Sequence, residues 1–272
     1  MKITLITACF NNATVIATAF DSVLVQSYTD IDYIVVDGGS TDGTVDVIKA
    51  YEPRFGGRMR WSSERDSGLY HAINKGIVRS MGEVVGILNA DDFFAGSTIL
   101  ESVAAAFARD NGRADAVYGD ISFVRPDDLN RVVRHYSARR FRPWMLRWGF
   151  MPPHPGFYCR REHFSHLGLY RTDFPIGADY ELLIRFLWHA RLRTVYLPEA
   201  MVIMRTGGKS TKSWKSTITL NRDIVRGCRM NGIYTNMAML LPKYFFKVFE
   251  LFSGKSRLKK SVRNGSAKRG VQ

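Results

Sequence analysis

The sequence contains few cysteines and no long apolar run. Its 272 residues include three cysteines, at positions 9, 159 and 228, and no pair has Cys-x-x-Cys spacing. This excludes a disulfide scaffold and a cysteine-ligated zinc cluster, and it favours a reducing compartment. No run of 18 apolar residues occurs, which argues against an integral membrane protein. The apolar stretch at residues 3–10 is too short for an export signal, so we expect a cytoplasmic protein.

Two common nucleotide-binding motifs are also missing. The chain has neither Gly-x-x-x-x-Gly-Lys-Ser/Thr nor Gly-x-Gly-x-x-Gly after a predicted strand, which disfavours a P-loop enzyme and a dinucleotide-dependent dehydrogenase. Acidic residues are in the minority, because 39 Lys and Arg against 25 Asp and Glu give a net charge of +14. A chain this basic favours a phosphate-rich partner or an anionic membrane.

Short β-type runs alternate with helical stretches over the first hundred residues. The predicted strands lie at residues 3–8, 33–36, 59–61 and 84–88. The predicted helices lie between them, at residues 12–26, 44–51 and 69–80. This repeated order of strand, turn and helix predicts an α/β fold whose mixed, mainly parallel sheet is flanked by helices.

The second half of the chain is less regular. We predict strands at residues 116–120, 121–124, 156–159 and 200–204, and a helix at 179–190. From residue 213 the pattern becomes helical and increasingly basic. We therefore predict an α/β domain at residues 1–212 and a C-terminal helical, basic and aromatic extension at residues 213–272, with a disordered end.

Acidic side chains follow three of the predicted strands. They are Asp37, then Glu64 and Asp66, then Asp91 and Asp92. Each of them alone is also common in turns and helix caps. Because the carboxyl ends of parallel strands share one edge of a sheet, we expect these acids to converge on a ligand crevice. Such a cluster predicts a hard divalent cation, Mn²⁺ or Mg²⁺, which also binds substrate phosphates.

Four segments in register resemble the family 2 glycosyltransferases, which have the GT-A fold. They are residues 7–11 (TACFN), 36–44 (VDGGSTDGT), 63–76 (SERDSGLYHAINKG) and 88–92 (LNADD), and weaker matches continue to about residue 211. The resemblance implies an inverting, non-processive enzyme of the bacterial surface-polysaccharide type. Such an enzyme transfers one sugar from a nucleotide sugar, with a UDP-sugar favoured, to a hydroxyl of a glycan or lipid-linked acceptor.

The resemblance also implies roles on the donor side. Asp37 would accept a hydrogen bond from the nucleotide base, Asp66 would lie close to the base and ribose, and Asp91 would contact the ribose or sugar. Asp92 would ligate Mn²⁺ or Mg²⁺ on the diphosphate, where Ala90-Asp91-Asp92 replaces the family's Asp-x-Asp. The other nucleotide-sugar-binding residues that we predict are Thr7, Ala8, Asn11, Glu64, Asn74 and Lys75.

The catalytic base is expected later in the chain. The segment at residues 177–183 (GADYELL) resembles a family motif in which Ala178 replaces a Glu, and Asp179 is the predicted base. A helix N-cap is the alternative role for Asp179. The residues expected on the acceptor or diphosphate side are His154, Glu181, Lys209 and Ser210. A structural histidine is the alternative for His154, and a plain turn is the alternative for residues 206–210.

Two basic segments, at residues 139–150 and 237–252, are rich in large aromatic residues. This composition predicts peripheral contact with an anionic membrane, such as the inner face of the plasma membrane. The alternative is a C-terminal helix packed on the domain. A nucleotidyltransferase or a basic nucleic-acid-binding protein is the alternative function. We favour neither and expect no nucleic-acid partner, because no nucleic-acid-binding module and no Gly-rich basic loop after the first strand occur.

Overall fold

The computed structural model describes residues 1–109, 112–207 and 214–246. The strands in these ranges are β1 (Ile3–Cys9), β2 (Ile31–Asp37), β3 (Met59–Ser63), β4 (Val84–Ile87), β5 (Phe93–Phe94), β6 (Ala116–Arg125), β7 (Asp128–Tyr136), β8 (Phe157–Arg160) and β9 (Thr194–Arg205). The α-helices are α1 (Ile16–Leu24), α2 (Thr44–Tyr51), α3 (Leu69–Val78), α4 (Ile99–Ala108), α5 (Arg161–Leu167), α6 (Ala178–Leu183) and α7 (Trp214–Met230), and a π-helical segment (Ile184–His189) directly continues α6.

The strands of the described residues form one mixed sheet in the order β3-β2-β1-β4-β8-β6-β9-β5, with β7 paired to β6. Strands β3, β2, β1 and β4 are mutually parallel, and β6 is parallel to β9. Strand β8 runs antiparallel to both β4 and β6. The carboxyl ends of β1 to β4 therefore lie along one edge, and the predicted mainly parallel sheet is confirmed.

Helices cover both faces of the sheet, so β1 and β2 are buried along their whole length. Neighbouring residues on a strand point to opposite faces. On β1, Leu5 packs in a core that includes Phe20 of α1, whereas Ile6 packs in a second core that includes Ile73 of α3. This burial on both faces explains why β1 and β2 appear in the sequence as continuous apolar runs.

Some elements differ from the sequence-based prediction. Strand β7 was not predicted, because it lies at the margin of the sheet and is mostly half-buried, so its sequence has no continuous apolar run. Strand β9 begins at Thr194 rather than at residue 200. A register shift opposite Gly119 and Asp120 accommodates Pro198 and Glu199 within the strand, which the apolar pattern does not show. Helices α4 and α5 were also not predicted.

Helix α7 packs against α6. The Asp223 carboxylate on α7 accepts hydrogen bonds from the backbone N–H groups of Ile176 (3.0 Å) and Gly177 (2.9 Å), just before α6 begins. Cys228 and Leu240 lie in the same core as α3 and α6. Residue 212, the predicted domain boundary, lies outside the described residues. In the part of the chain that the structure describes, none of the helices combines the length and apolar character needed to cross a bilayer.

Candidate active site

Asp37 is fully buried at the end of β2, and the following turn encloses its carboxylate. Its oxygens accept hydrogen bonds from the backbone N–H groups of Gly39 (3.1 Å) and Ser40 (2.9 Å) and from the Ser63 hydroxyl (2.6 Å). Burial alone would raise the pKa of Asp37, but the hydrogen bonds from Ser40 and Ser63 outweigh it and lower the pKa. The structure thus shows Asp37 as an ionised support of the loop, and its predicted contact with the nucleotide base stays a prediction.

The loop after β1 lies beside this turn. The Thr7 hydroxyl is buried and donates to the carbonyl oxygen of Leu88 (2.8 Å), and Ala8 is buried as well. Asn11 is exposed, with a φ of 54°, and its side-chain oxygen accepts a hydrogen bond from the Thr41 N–H (2.9 Å). Thr7 and Ala8 therefore support the sheet edge from within, whereas Asn11 lies at the surface of the rim.

In the part of the chain that the structure describes, Asp66 has a buried oxygen without a hydrogen-bond donor. Its side chain is 6% exposed, and Oδ1 contacts Nδ1 of His71 (3.0 Å) and Nζ of Lys75 (2.7 Å). Oδ2 is buried and has no partner among the described residues. A Cβ added to Gly38 would lie 3.6 Å from this oxygen and 3.5 Å from the ring of Phe10. Leaving a buried acceptor unpaired costs free energy, so Oδ2 is suited to a donor on a ligand.

The other residues predicted from residues 63–76 have partners within the protein. Lys75 also contacts Glu64 (3.0 Å), which in turn contacts Arg79 (3.4 Å), and the Lys75 contact lowers the pKa of Glu64. Both polar atoms of the Asn74 side chain bind the backbone of Tyr170, at 2.8 and 3.0 Å. Asn74 therefore positions Tyr170, while Lys75 holds the charge of Asp66 and Glu64.

Asp92 follows β4 and is 1% exposed. The Asn89 side-chain amide donates to its Oδ2 (2.7 Å). Burial, together with the charge of the neighbouring Asp91, raises the pKa of Asp92 to about 8. Arg205 at the end of β9 donates to the backbone carbonyl of Asp91 and to the hydroxyl of Thr18 (3.0 Å). Asn89 and Arg205 thus do not fully offset the effect of burial and of the neighbouring Asp91 on the charge of Asp92.

The pair Asp91 and Asp92 fits a hard divalent cation in its donor chemistry. Mg²⁺ and Mn²⁺ bind through one or two carboxylates together with substrate phosphates and water. Within the described residues, however, no three His, Cys, Asp or Glu side chains form a group that could hold a metal ion. The expected convergence of acids from three strands on one cation is therefore not found, because Asp37 and Asp66 are held by partners of their own.

Asp179 lies in the first turn of α6 and is partly buried. Its Oδ1 accepts a hydrogen bond from the Tyr180 N–H (2.8 Å) and lies 3.4 Å from the Tyr70 hydroxyl. The same hydroxyl donates to the carbonyl oxygen of Ile176. Burial raises the pKa of the Asp179 carboxyl above its ordinary value. A carboxylate with a raised pKa is a suitable proton acceptor near neutral pH.

His154 belongs to the same group of side chains. Its Nε2 lies 2.7 Å from the Tyr170 hydroxyl, and the Tyr170 ring stacks on Tyr70 with centroids 5.7 Å apart. Burial lowers the pKa of His154, although the charge of Asp179 opposes this shift. The structure therefore brings the predicted residues Asp179 and His154 together, with His154 in its neutral form.

Glu181 does not join this group. It is 3% exposed, both of its oxygens accept hydrogen bonds from Nε of Arg185 (3.0 Å), and Asn231 donates to Oε1 (3.2 Å). The structure places Glu181 as a link between α6 and the end of α7, contrary to its predicted place on the acceptor side. The predicted residues Lys209 and Ser210 lie outside the described residues.

Sequence reasoning missed Tyr70 and Tyr170. Tyr70 lies in the family-like segment 63–76, four residues after Asp66 and at the start of a helix. This position could have indicated that Tyr70 belongs to the site. Tyr170 lies in a segment without any motif, and only the fold brings it to His154 and Asn74.

The comparisons with known proteins agree with this geometry. The family model described as Glycosyl transferase family 2 matches residues 4–168, which is more than half of the chain. The chain belongs to glycosyltransferase family 2. This confirms the family prediction, and with it the prediction that the chain is a glycosyltransferase.

This family 2 glycosyltransferase has curated relatives in bacteria. It is 30% identical over 187 residues to a PGL/p-HBAD biosynthesis glycosyltransferase of Mycobacterium bovis, covering 69% of this chain and 70% of the relative. It is 37% identical over 92 residues to an uncharacterized glycosyltransferase of Nostoc sp., covering 34% of this chain and 29% of the relative.

Solved structures share the fold of this glycosyltransferase. Staphylococcus aureus TarS 1–349 in complex with UDP has a TM-score of 0.62 at 16% identity; the match covers 84% of this chain and 65% of the TarS chain. The mannosyltransferase PcManGT of Pyrobaculum calidifontis, in complex with GDP-Man and Mn²⁺, has a TM-score of 0.63 at 20% identity and covers 99% of this chain and 76% of that chain. These likenesses confirm the GT-A fold.

Proposed function

We propose that this protein transfers one sugar, with inversion, from a nucleotide sugar to a hydroxyl of a glycan or lipid-linked acceptor. The observation that carries the proposal is Oδ2 of Asp66, which is buried at the rim of the sheet and has no partner among the described residues. Family membership supports sugar transfer, and the nucleotide ligands of TarS and PcManGT support a nucleotide-sugar donor. Of the two nucleotides we favour UDP.

On the donor side, an N–H of the base would donate to Oδ2 of Asp66. Lys75 and His71 hold the opposite oxygen, so the carboxylate is fixed in place before the ligand arrives. Phe10, which is 51% exposed, lies beside Gly38 and offers a ring for the base to pack on. A hydrogen bond to a charged group contributes about 1.5–3 kcal/mol. Because Asp66 is already oriented, binding does not lose free energy by ordering its side chain.

Asp91 and Asp92 would hold Mn²⁺ or Mg²⁺. When bound there, such an ion offsets the negative charge that develops on the departing nucleoside diphosphate. Asn89 orients Oδ2 of Asp92, and Arg205 holds the backbone of Asp91. The chain's own contribution is thus to keep a buried carboxylate, Asp92, next to the half-buried Asp91, where their repulsion favours a cation.

On the acceptor side, Asp179 would remove the proton of the attacking hydroxyl. Among the described residues, the Tyr180 N–H donates to Oδ1 of Asp179 and the Tyr70 hydroxyl lies 3.4 Å from the same oxygen, which leaves Oδ2 for the acceptor. Attack by that hydroxyl on the anomeric carbon from the side opposite the leaving diphosphate inverts the configuration in a single displacement. The neutral His154 lies nearby and holds Tyr170, which stacks on Tyr70.

We also propose a peripheral contact with an anionic membrane at the cytoplasmic face. Trp144 is 57% exposed and follows the exposed Arg139 and Arg140, and Leu241 is 56% exposed. Cationic side chains beside exposed apolar ones suit the interface of an anionic bilayer. In this proposal residues 213–272 form an extension whose described part packs on the catalytic domain and whose basic end faces lipid. Partitioning onto vesicles tests the contact.

The donor proposal is tested with Asp66→Asn. The amide keeps the shape of Asp66 but removes the charge, so we expect the affinity for UDP, measured by titration calorimetry with Mn²⁺, to fall about tenfold. Asp46→Asn, at an exposed aspartate on α2, is the matched control and leaves the affinity unchanged. Equal UDP binding by wild type and Asp66→Asn would remove the main support for the proposed donor site.

A further inference from the structure

A groove of about 420 Å³ lies between two short helical segments at the surface of the domain. One side comes from a 3₁₀-helix at Pro143–Trp148, and the other comes from the π-helical segment Ile184–His189 and the residues that follow it. The described lining consists of Pro143, Trp144, Leu187, Trp188, Arg191 and Leu192. It thus combines five apolar side chains, two of them tryptophans, with one arginine, and it contains no acidic residue.

Both sides of the groove are anchored to the core of the domain. Leu146 of the 3₁₀-helix is fully buried, and its carbonyl oxygen accepts a hydrogen bond from the Tyr180 hydroxyl of α6. On the other side, Leu187 is buried in the same core, and Trp188 packs against it. By contrast, Trp144 is 57% exposed. The groove is therefore a preformed site whose outer wall is open to a ligand.

Arg191 occupies a backbone position that rarely takes an arginine. Its φ of 50° lies in the left-handed region, where glycine and asparagine are favoured. Among the non-glycine residues of the described ranges, it shares a positive φ only with Asn11. Backbone strain of this kind clusters at sites that bind ligands. The position of Arg191 in the groove lining thus points to a role for its charge.

The chain that leads into the groove is strongly basic. It has no Asp or Glu between Asp128 and Glu162. Four arginines are exposed and form no ion pair with any described acidic side chain: Arg139, Arg140, Arg142 and Arg191. Arginine binds phosphate oxygens through two N–H groups at once, and tryptophan is favoured where a bilayer meets water. Uncompensated cations beside an apolar groove therefore complement an anionic amphiphile.

We infer that this groove binds one phosphate-bearing lipid of the membrane, with the start of its hydrocarbon chain between Trp144 and Trp188 and its phosphate at Arg191. The volume of the groove lies within the range of roughly 300–1,000 Å³ that small-molecule sites have. This inference rests on the proposed membrane contact, and it adds to that contact a defined site for a single lipid. A lipid held there would fix the orientation of the domain on the bilayer, which a basic tail alone does not.

The test titrates the full-length protein with soluble amphiphiles, below the concentrations at which they form micelles, by calorimetry. The probes are octyl phosphate, butyl phosphate and octyl β-D-glucoside. Each buried methylene tightens binding by up to about fourfold, so we expect octyl phosphate to bind at least about tenfold more tightly than butyl phosphate. It should also bind at least about tenfold more tightly than octyl glucoside, because only the phosphate is charged.

Two pairs of variants locate the site. Trp144→Ala should weaken octyl phosphate binding about fivefold, whereas Trp214→Ala should not, because Trp214 is 88% exposed on α7 and is not part of the described lining. Arg191→Gln should weaken octyl phosphate binding about fivefold and leave octyl glucoside binding unchanged. Arg229→Gln, at an exposed arginine on α7, is its control. Trp144→Ala and Arg191→Gln should each partition about threefold less than the wild type onto vesicles that contain phosphatidylserine.

Three results would overturn the inference: equal affinity for octyl phosphate and either of the other probes, equal effects of Trp144→Ala and Trp214→Ala, or a wild-type dimer that dissociates in Trp144→Ala but not in Trp214→Ala. The last result would assign the groove to a second copy of the chain. Vesicle partitioning that is unchanged in both groove variants would also overturn it, while the proposed membrane contact would stand. If the wild-type protein binds octyl phosphate but not UDP, the proposed sugar transfer is overturned while the lipid site is supported.

Discussion

Asp37 and Asp66 follow neighbouring parallel strands but differ in how many of their carboxylate oxygens have hydrogen-bond donors. Asp37 receives hydrogen bonds on both oxygens from its own turn and from Ser63. Within the described ranges, Asp66 is bound on one oxygen, and its other oxygen is buried without a donor. The motifs place both carboxylates at the rim, but the direction of nearby N–H and O–H groups decides which one can receive a ligand.

Asp179 and Glu181 show that a single residue's role can follow from helix geometry. Positions two apart on a helix are separated by about 200° around its axis, so the two carboxylates cannot face the same site. In the structure Asp179 faces Tyr70, whereas Glu181 faces Arg185 and Asn231. The helix predicted at residues 179–190 already implies that the side chains of Asp179 and Glu181 point in different directions.

Replacing Asp179 by Asn tests the proposed base. We expect kcat to fall by about 10²–10⁴-fold, because the amide cannot accept the proton, while the affinity for UDP stays within about twofold. Since burial raises the pKa of Asp179, and the base works in its ionised form, wild-type kcat should fall with decreasing pH at values above the ordinary pKa of 3.8. A variant with wild-type kcat would show that another group removes the proton.

At the level of elements, the parallel half of the sheet was predictable and the rest much less so. Helix α2 has the predicted bounds, Thr44–Tyr51, and strands β1, β2 and β4 lie where their apolar runs indicated. These strands are buried on both faces, which gives a strong signal. Strand β7 and the contacts of Tyr170 depend on long-range pairing, and the local sequence carries no sign of it.

The segment after α7 contains two adjacent leucines in different surroundings. Leu240 is 1% exposed and lies in the core shared with α6, whereas Leu241 is 56% exposed. We expect Leu240→Ala to lower the free energy of unfolding by about 2–5 kcal/mol, because it leaves a cavity in that core. Leu241→Ala should change it by less than about 0.5 kcal/mol. Chemical denaturation measures both, and equal effects would contradict the packing of this segment on the domain.

At the scale of the whole molecule, the net charge of +14 is concentrated toward the C-terminus. Residues 253–272 contain seven Lys or Arg and no Asp or Glu. The described residues just before this segment combine a packed inner side, represented by Leu240, with exposed apolar side chains such as Leu241. Packing on the domain and the proposed contact with lipid are therefore compatible, because different residues would serve them.

Deleting residues 253–272 tests the membrane contact. Each basic residue near an anionic bilayer contributes about 1 kcal/mol, so we expect a marked loss of binding to vesicles that contain phosphatidylserine at low salt. Binding to pure phosphatidylcholine vesicles should not change. A full-length variant with the seven basic residues replaced by Gln controls for chain length and should behave like the deletion. Unchanged binding to the anionic vesicles in both variants would rule out an electrostatic anchor.

The first turn of α3 has a mechanical consequence. Asp66, which precedes this helix, accepts a contact from His71, and Tyr70 on the same turn reaches Ile176 and Asp179. A shift of this turn would displace Asp66, the proposed acceptor for the nucleotide base, together with Tyr70, the neighbour of the proposed proton acceptor Asp179. In the proposed function, the donor and acceptor positions would thus be connected through residues 66–71, a short segment outside the sheet.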